Sequence, residues 1–101
     1  MGERAATDAK PHYLGHRERL RARFLKAPDS LADYELLELI LCNAISRRDV
    51  KAEAKALITR FGSLAAVLNA DPAQLGEFKW VKARVVAELR LAREAGLRLS
   101  Q

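Results

Sequence analysis

Histidine, cysteine, glycine and proline are all scarce in this chain: two, one, five and three residues among 101. The single thiol, Cys42, cannot form an internal disulfide or a cysteine-pair zinc site. Its place inside an apolar helical run makes it a small buried hydrophobe. His12 and His16 are too few for a histidine metal centre, and both precede the globular part of the chain. Ser30, Ser46, Ser63 and Ser100 stand beside turns or the terminus, where capping accounts for them, so no nucleophile, base and orienting group fall into a catalytic set. No apolar run reaches the roughly 18 residues that a transmembrane helix needs. No strand-like alternation of useful length is present. The first residues carry no signal-peptide core, so a cytoplasmic location is expected.

What remains is rich in leucine and alanine. Half the residues are apolar and only 6% aromatic, the composition of an all-α protein. A chain of this length makes one domain with a single modest core. Eighteen lysines and arginines face 13 acids, for a net charge of +5 and a sequence pI near 9.8. A basic balance favours polyanionic partners such as DNA, RNA or anionic membrane surfaces.

Residues 1–10 are polar and lack a helical period, which predicts a disordered lead. Pro11 to Gly15 is expected to form an extended or turn-like approach. A first helix is expected from about His16 to Lys26, with Leu20 and Phe24 on one face. Arg17, Arg19, Arg21, Arg23 and Lys26 cover much of the rest, opposed only by Glu18. That face is either solvated or a surface for phosphates. A second helix, Tyr34 to about Ala44, is capped by Asp33 and apolar nearly all the way round, as a central buried helix would be. Asp49 caps a third helix whose stripe is Val50, Ala54, Leu57, Ile58 and Phe61. Gly62 stops it. Ser63 caps a short helix with Leu64, Val67 and Leu68 inward. Asp71-Pro72-Ala73-Gln74 is another start signal, combining a cap, a first-turn proline and a capping-box glutamine. The last helix is expected from about Ala83 to Leu99, with Val85, Leu89, Ala92 and Leu99 on its inner stripe.

The spacing of these elements is the most informative pattern in the chain. Two units of helix, short break and helix stand in series. The first breaks at Ile45-Ser46-Arg47-Arg48, the second at Lys79-Trp80-Val81-Lys82, and one short helix joins them. The expected fold is therefore all-α, five to six short helices forming a tandem helix-hairpin-helix (SAM-like) bundle. Such a hairpin binds nucleic-acid backbone because its tight turn and the N-terminus of the next helix direct N–H groups at a phosphate. Contacts of this kind position the protein without reading sequence.

Four segments, in order, carry a family resemblance: Gly15-His16-Arg17-Glu18-Arg19-Leu20-Arg21, Asp33-Tyr34-Glu35-Leu36-Leu37-Glu38-Leu39, Ala44-Ile45-Ser46-Arg47-Arg48-Asp49-Val50 and Arg60-Phe61-Gly62-Ser63-Leu64. Together they resemble the N-terminal helix-hairpin-helix domain of the bacterial RadC family, over residues 11–101. The resemblance implies a DNA-repair setting and a following metal-dependent domain of the JAMM (MPN-type) class. The His-x-His metal run of that domain is absent here, so the implied role is non-catalytic DNA binding with no cofactor or metal. That role places a separate hydrolase domain on DNA.

One departure qualifies the likeness. Where the family's second hairpin usually has Gly-Ile-Gly, this chain has Trp80-Val81-Lys82. A non-glycine residue forced to positive φ costs roughly 1 kcal/mol or more, so the turn is expected to change shape. Trp80 and Lys82 would also block close backbone approach to a phosphate. The expected nucleic-acid contacts are side chains: Arg17, Arg19, Arg21, Arg23, Arg47, Arg48, Lys51, Lys79 and Lys82, with Ser46 as a further donor. Trp80 either stacks on an unpaired base or packs on the core or a partner. The alternative function is a protein-docking domain that has lost DNA binding. In that reading Phe78, Trp80 and Val81 form an exposed apolar patch, which binds a partner or the protein's own metal-dependent domain.

Overall fold

The computed structural model describes residues 12–101; the expected lead over residues 1–10 lies outside the described residues. Among the described residues there are six α-helices, one 3-10 turn and no strand. They are α1 His12–Lys26, the 3-10 turn Pro28–Ser30, α2 Asp33–Cys42, α3 Lys51–Phe61, α4 Leu64–Asn69, α5 Pro72–Leu75 and α6 Ala83–Leu99. No described helix is long and apolar enough to cross a membrane.

The core forms because each apolar stripe meets another. Leu37 and Leu41 of α2, Ala54 and Leu57 of α3, Val67 of α4 and Leu89 of α6 have no solvent exposure. Val50, Leu75 and Val85 are almost as deeply enclosed. Burying a leucine side chain contributes about 1.5–3 kcal/mol, so this cluster is the main source of stability. The second helix is central, as expected: α2 packs against α1, α3, α4 and α6. Cys42 is a buried core residue, and burial pushes its thiol pKa up.

The ends of the helices are held by named groups. Gly62 closes α3 in the left-handed region at φ 103°, which only glycine adopts freely. Ser63 Oγ accepts the Ala66 N–H at 3.1 Å and starts α4. At the other end of α4, Arg90 of α6 donates to the Ala70 carbonyl at 2.9 Å and Arg93 donates to the Asn69 side chain at 2.7 Å. Orphan carbonyls at a helix C-terminus are satisfied well by such cations. Gln74 Oε1 accepts the Asp71 N–H at 3.2 Å, one half of the expected capping box.

Several boundaries differ from expectation. Residues 12–15 are helical, so Gly15 sits inside the first helix. A helical glycine costs about 1 kcal/mol relative to alanine, and tertiary contacts from His16, Arg17 and Leu20 outweigh it. Asp33 is the first residue of α2, not its cap. Its carboxylate instead accepts the Leu64 N–H at 2.9 Å, capping α4 across space. The Ala32 N–H ahead of α2 is taken by Glu35 Oε1 at 2.9 Å. Asp49 does act at the start of α3, accepting the Lys51 N–H at 3.2 Å. Helix α2 stops at Cys42 and α5 at Leu75, so the connecting loops are residues 43–50 and 76–82, longer than the expected breaks. Leu99 is 87% exposed and leaves the inner stripe of α6, because the last turns of that helix run beyond the elements that cover it.

Candidate nucleic-acid interface

The two loops occupy the same end of the bundle. Residues 43–50 join α2 to α3 and residues 76–82 join α5 to α6. Arg84, in the first turn of α6, donates to the Asn43 carbonyl at the end of α2 at 3.1 Å. Asn43 in turn donates to Glu88 at 3.4 Å. The residue that opens the first loop is thereby joined to the residues that follow the second. Arg84 was missed in the sequence because a first-turn arginine off the apolar stripe gives no sign of its acceptor.

Within the first loop Arg47 is exposed, as are Arg48 and Lys51. Arg48 is paired with Glu53. No ion pair involves Arg47 or Lys51 among the described residues. Lys51 opens α3, where the helix dipole and unpaired N–H groups add to the positive potential. Asp49 spends its carboxylate on the Lys51 N–H. In the second loop Lys79 and Lys82 are exposed and are in no ion pair among the described residues.

The second loop is a run of tight turns. The Gly76, Glu77, Phe78 and Val81 N–H groups bond back to the Pro72, Gln74, Leu75 and Phe78 carbonyls. No residue in it takes positive φ, so the turn is built without glycine's conformation. Phe78, Trp80 and Val81 are half-buried against the core rather than forming an exposed patch, with the Phe78 and Trp80 rings 5.7 Å apart and tilted by 55°. Glu77 ties the loop to α3 through two bonds from Arg60, at 2.9 and 3.2 Å. The Arg60 bond holds the Glu77 carboxyl below its usual range.

The α1 cations divide. Arg19 and Arg21 are exposed and in no ion pair among the described residues. Arg23 donates to Glu35 at 2.5 Å. Burial works against ionised Glu35, but the Ala32 N–H and Arg23 together hold its carboxyl below the usual value. Arg17 is a correction: only 7% exposed, it faces inward. Its guanidinium donates to the carbonyls of Ile45 at 2.6 Å, Ser46 at 2.8 Å and Arg48 at 2.5 Å, and lies 5.0 Å from the Tyr13 ring centre. At that burial the guanidinium is closed off from a phosphate. The arginine spacing in α1 could not reveal this, because the acceptors are main-chain oxygens some thirty residues away.

His16 does not precede the globular part as expected: it sits within α1, its Nε2 lies 2.9 Å from Glu38 Oε1, and Glu38 is 2% exposed. Among the described residues no group of three or more His, Cys, Asp or Glu side chains is placed to hold a metal ion. An open, largely apolar groove of about 390 Å³ runs between α1, α2, α4 and α6, lined by Phe24, Leu36, Leu39, Ile40, Leu64, Leu68 and Ala92 and reaching Asn43 at the start of the first loop. No protein-family model matches the chain and no solved structure matches it.

Proposed function

We propose that this chain is a non-catalytic, sequence-independent DNA-binding module of the RadC type, which carries a separate metal-dependent hydrolase domain to DNA. The observation behind this reading is the meeting of the two helix-hairpin-helix loops at one end of the bundle. Arg84 bridges them to the Asn43 carbonyl, and that end displays Arg47, Arg48, Lys51, Lys79 and Lys82. Cations so arranged neutralise neighbouring phosphates and release counterions, so binding is weak and falls steeply with salt. Arg19 and Arg21 extend the surface along α1. Arg17 drops out of the contact set, and Arg23 is engaged by Glu35.

The test is an amide-shift titration with single-stranded, duplex and branched DNA at low and moderate salt, on the parent chain and on Arg47→Ala with Arg48→Ala. The expected result is shifts at Ser46 to Lys51 and Lys79 to Lys82 that fade with salt. The double variant is expected to bind more weakly, with a smaller salt slope. Unaltered binding by that variant would remove the first loop from the interface.

A second reading, docking of a protein partner, draws on the apolar groove beside α6, since open apolar surface lined by several helices is a common protein-binding feature. It predicts an amide spectrum that DNA leaves unchanged even at low salt.

A further inference from the structure

We infer that Arg17 is the positioning residue of the first hairpin loop: it turns three loop carbonyls inward and thereby presents the N–H groups of Ser46, Arg47 and Asp49 outward to a phosphate. This inference rests on the nucleic-acid reading above. No peptide bond among the described residues is cis, and in a trans peptide the C=O and the following N–H point in opposite directions. The Ile45, Ser46 and Arg48 carbonyls all point to the Arg17 guanidinium. The next N–H groups, those of Ser46, Arg47 and Asp49, therefore point away from α1. None of the three has a hydrogen-bond acceptor among the described residues. They lie in an exposed loop beside Arg47 and Lys51.

The loop contains no glycine and no positive φ. Its shape must come from elsewhere, and one planar guanidinium supplies three of its restraints. Stability is a poor explanation for such a buried cation. Desolvating a charge costs several kcal/mol, and Arg17 Nε and Glu38 Oε2 are buried with no hydrogen-bond partner. What the guanidinium supplies is geometry: its fork of fixed donors can gather several carbonyls, whereas a lysine ammonium is a point charge on a flexible stem.

The test compares the parent chain with Arg17→Lys, which keeps the charge and loses the fork. Duplex oligonucleotide affinity is measured between about 50 and 200 mM salt, at a temperature where melting curves show both proteins folded. The expected result is a dissociation constant raised roughly tenfold with an unchanged slope of log K against log salt, because Arg17 itself neutralises no phosphate. Arg47→Ala, measured alongside, should lower that slope by about one. Equal affinity for parent and Arg17→Lys would overturn the inference while leaving the nucleic-acid reading standing. A slope that falls with Arg17→Lys would also overturn it, since Arg17 would then be a phosphate contact. A parent chain that binds no duplex at low salt overturns the nucleic-acid reading, and the positioning role with it. Should Arg17→Lys fail to fold, the parent alone decides. On saturation with duplex, the Ser46, Arg47 and Asp49 amide protons should shift and gain exchange protection while that of Arg48 does not. An absence of that pattern in a bound complex would overturn the inference.

Discussion

Gly62 shows how one residue's backbone decides an element's end. It holds φ 103°, and a Cβ placed there would meet no atom within 4 Å. Replacement by alanine therefore tests conformational strain without steric collision. Gly62→Ala is expected to cost roughly 1–2 kcal/mol, which lowers the melting temperature by about 4–8 °C per kcal/mol for a domain of this size. A calorimetric scan showing no loss would mean that α3 can end without the left-handed turn. This residue was legible in the sequence, because a glycine after an amphipathic stripe is a local signal. Arg17 was not. Five cations in α1 look alike as a string, and only the fold separates one that faces main-chain carbonyls from four that face outward. Asp33 teaches the same point: its cap is real, but the N–H it accepts from belongs to Leu64 of α4, and no window around Asp33 contains it.

Between elements, the packing of α1 on α2 has an electrostatic part that can be titrated. Glu35 Oε1 accepts from the Ala32 N–H ahead of α2 and from Arg23 of α1, and its folded-state pKa is lowered. A lowered pKa means that the folded state favours the ionised carboxylate. The resulting stability is present above the unfolded-state value, about 4.3, and is lost as pH falls through the lower folded value. Glu35→Gln is expected to be less stable than the parent at neutral pH, by no more than about 1 kcal/mol because Arg23 stands half in solvent. The gap should close below about pH 4. Denaturant titrations of both proteins from pH 7 to pH 3 check this, and a constant gap would mean that the charge of Glu35 contributes nothing. Element identities were readable from the sequence because apolar periodicity and caps are local: the stripes of α3 and α4 match the buried faces. Boundaries were less so. Residues 12–15 are helical where Pro11 and Gly15 suggested a turn, and the two loops are longer than their sequences suggested because α2 and α5 end early. The outer end of α6 failed for a third reason. A stripe shows which residues are apolar, but not where the neighbouring helices stop, and Leu99 lies past that point.

Over the whole molecule, the question is whether DNA would respond to total charge or to one surface, and the fold separates the two. Arg47 and Lys82 belong to the loops that Arg84 draws together. Arg98 lies fourteen residues farther along α6 than Arg84, about 21 Å away at 1.5 Å per residue. That is more than twice the roughly 8 Å screening length at physiological ionic strength. Arg98 is paired with Glu94 at 3.0 Å and exposed, so altering it leaves the core intact. Replacing any of the three cations by glutamate changes the net charge by the same two units. Binding through the joined loops predicts that Arg47→Glu and Lys82→Glu each weaken duplex affinity roughly tenfold, a loss of about 1.4 kcal/mol. Arg98→Glu should cost less than about twofold at 0.15 M salt. Fluorescence anisotropy with a labelled duplex reads all three. Equal losses would show that affinity follows net charge, and the meeting of the hairpins would then have no bearing on DNA. A loss confined to Arg47→Glu would leave the first hairpin as the contact and make the second, with Trp80 folded against the core, a structural support for it.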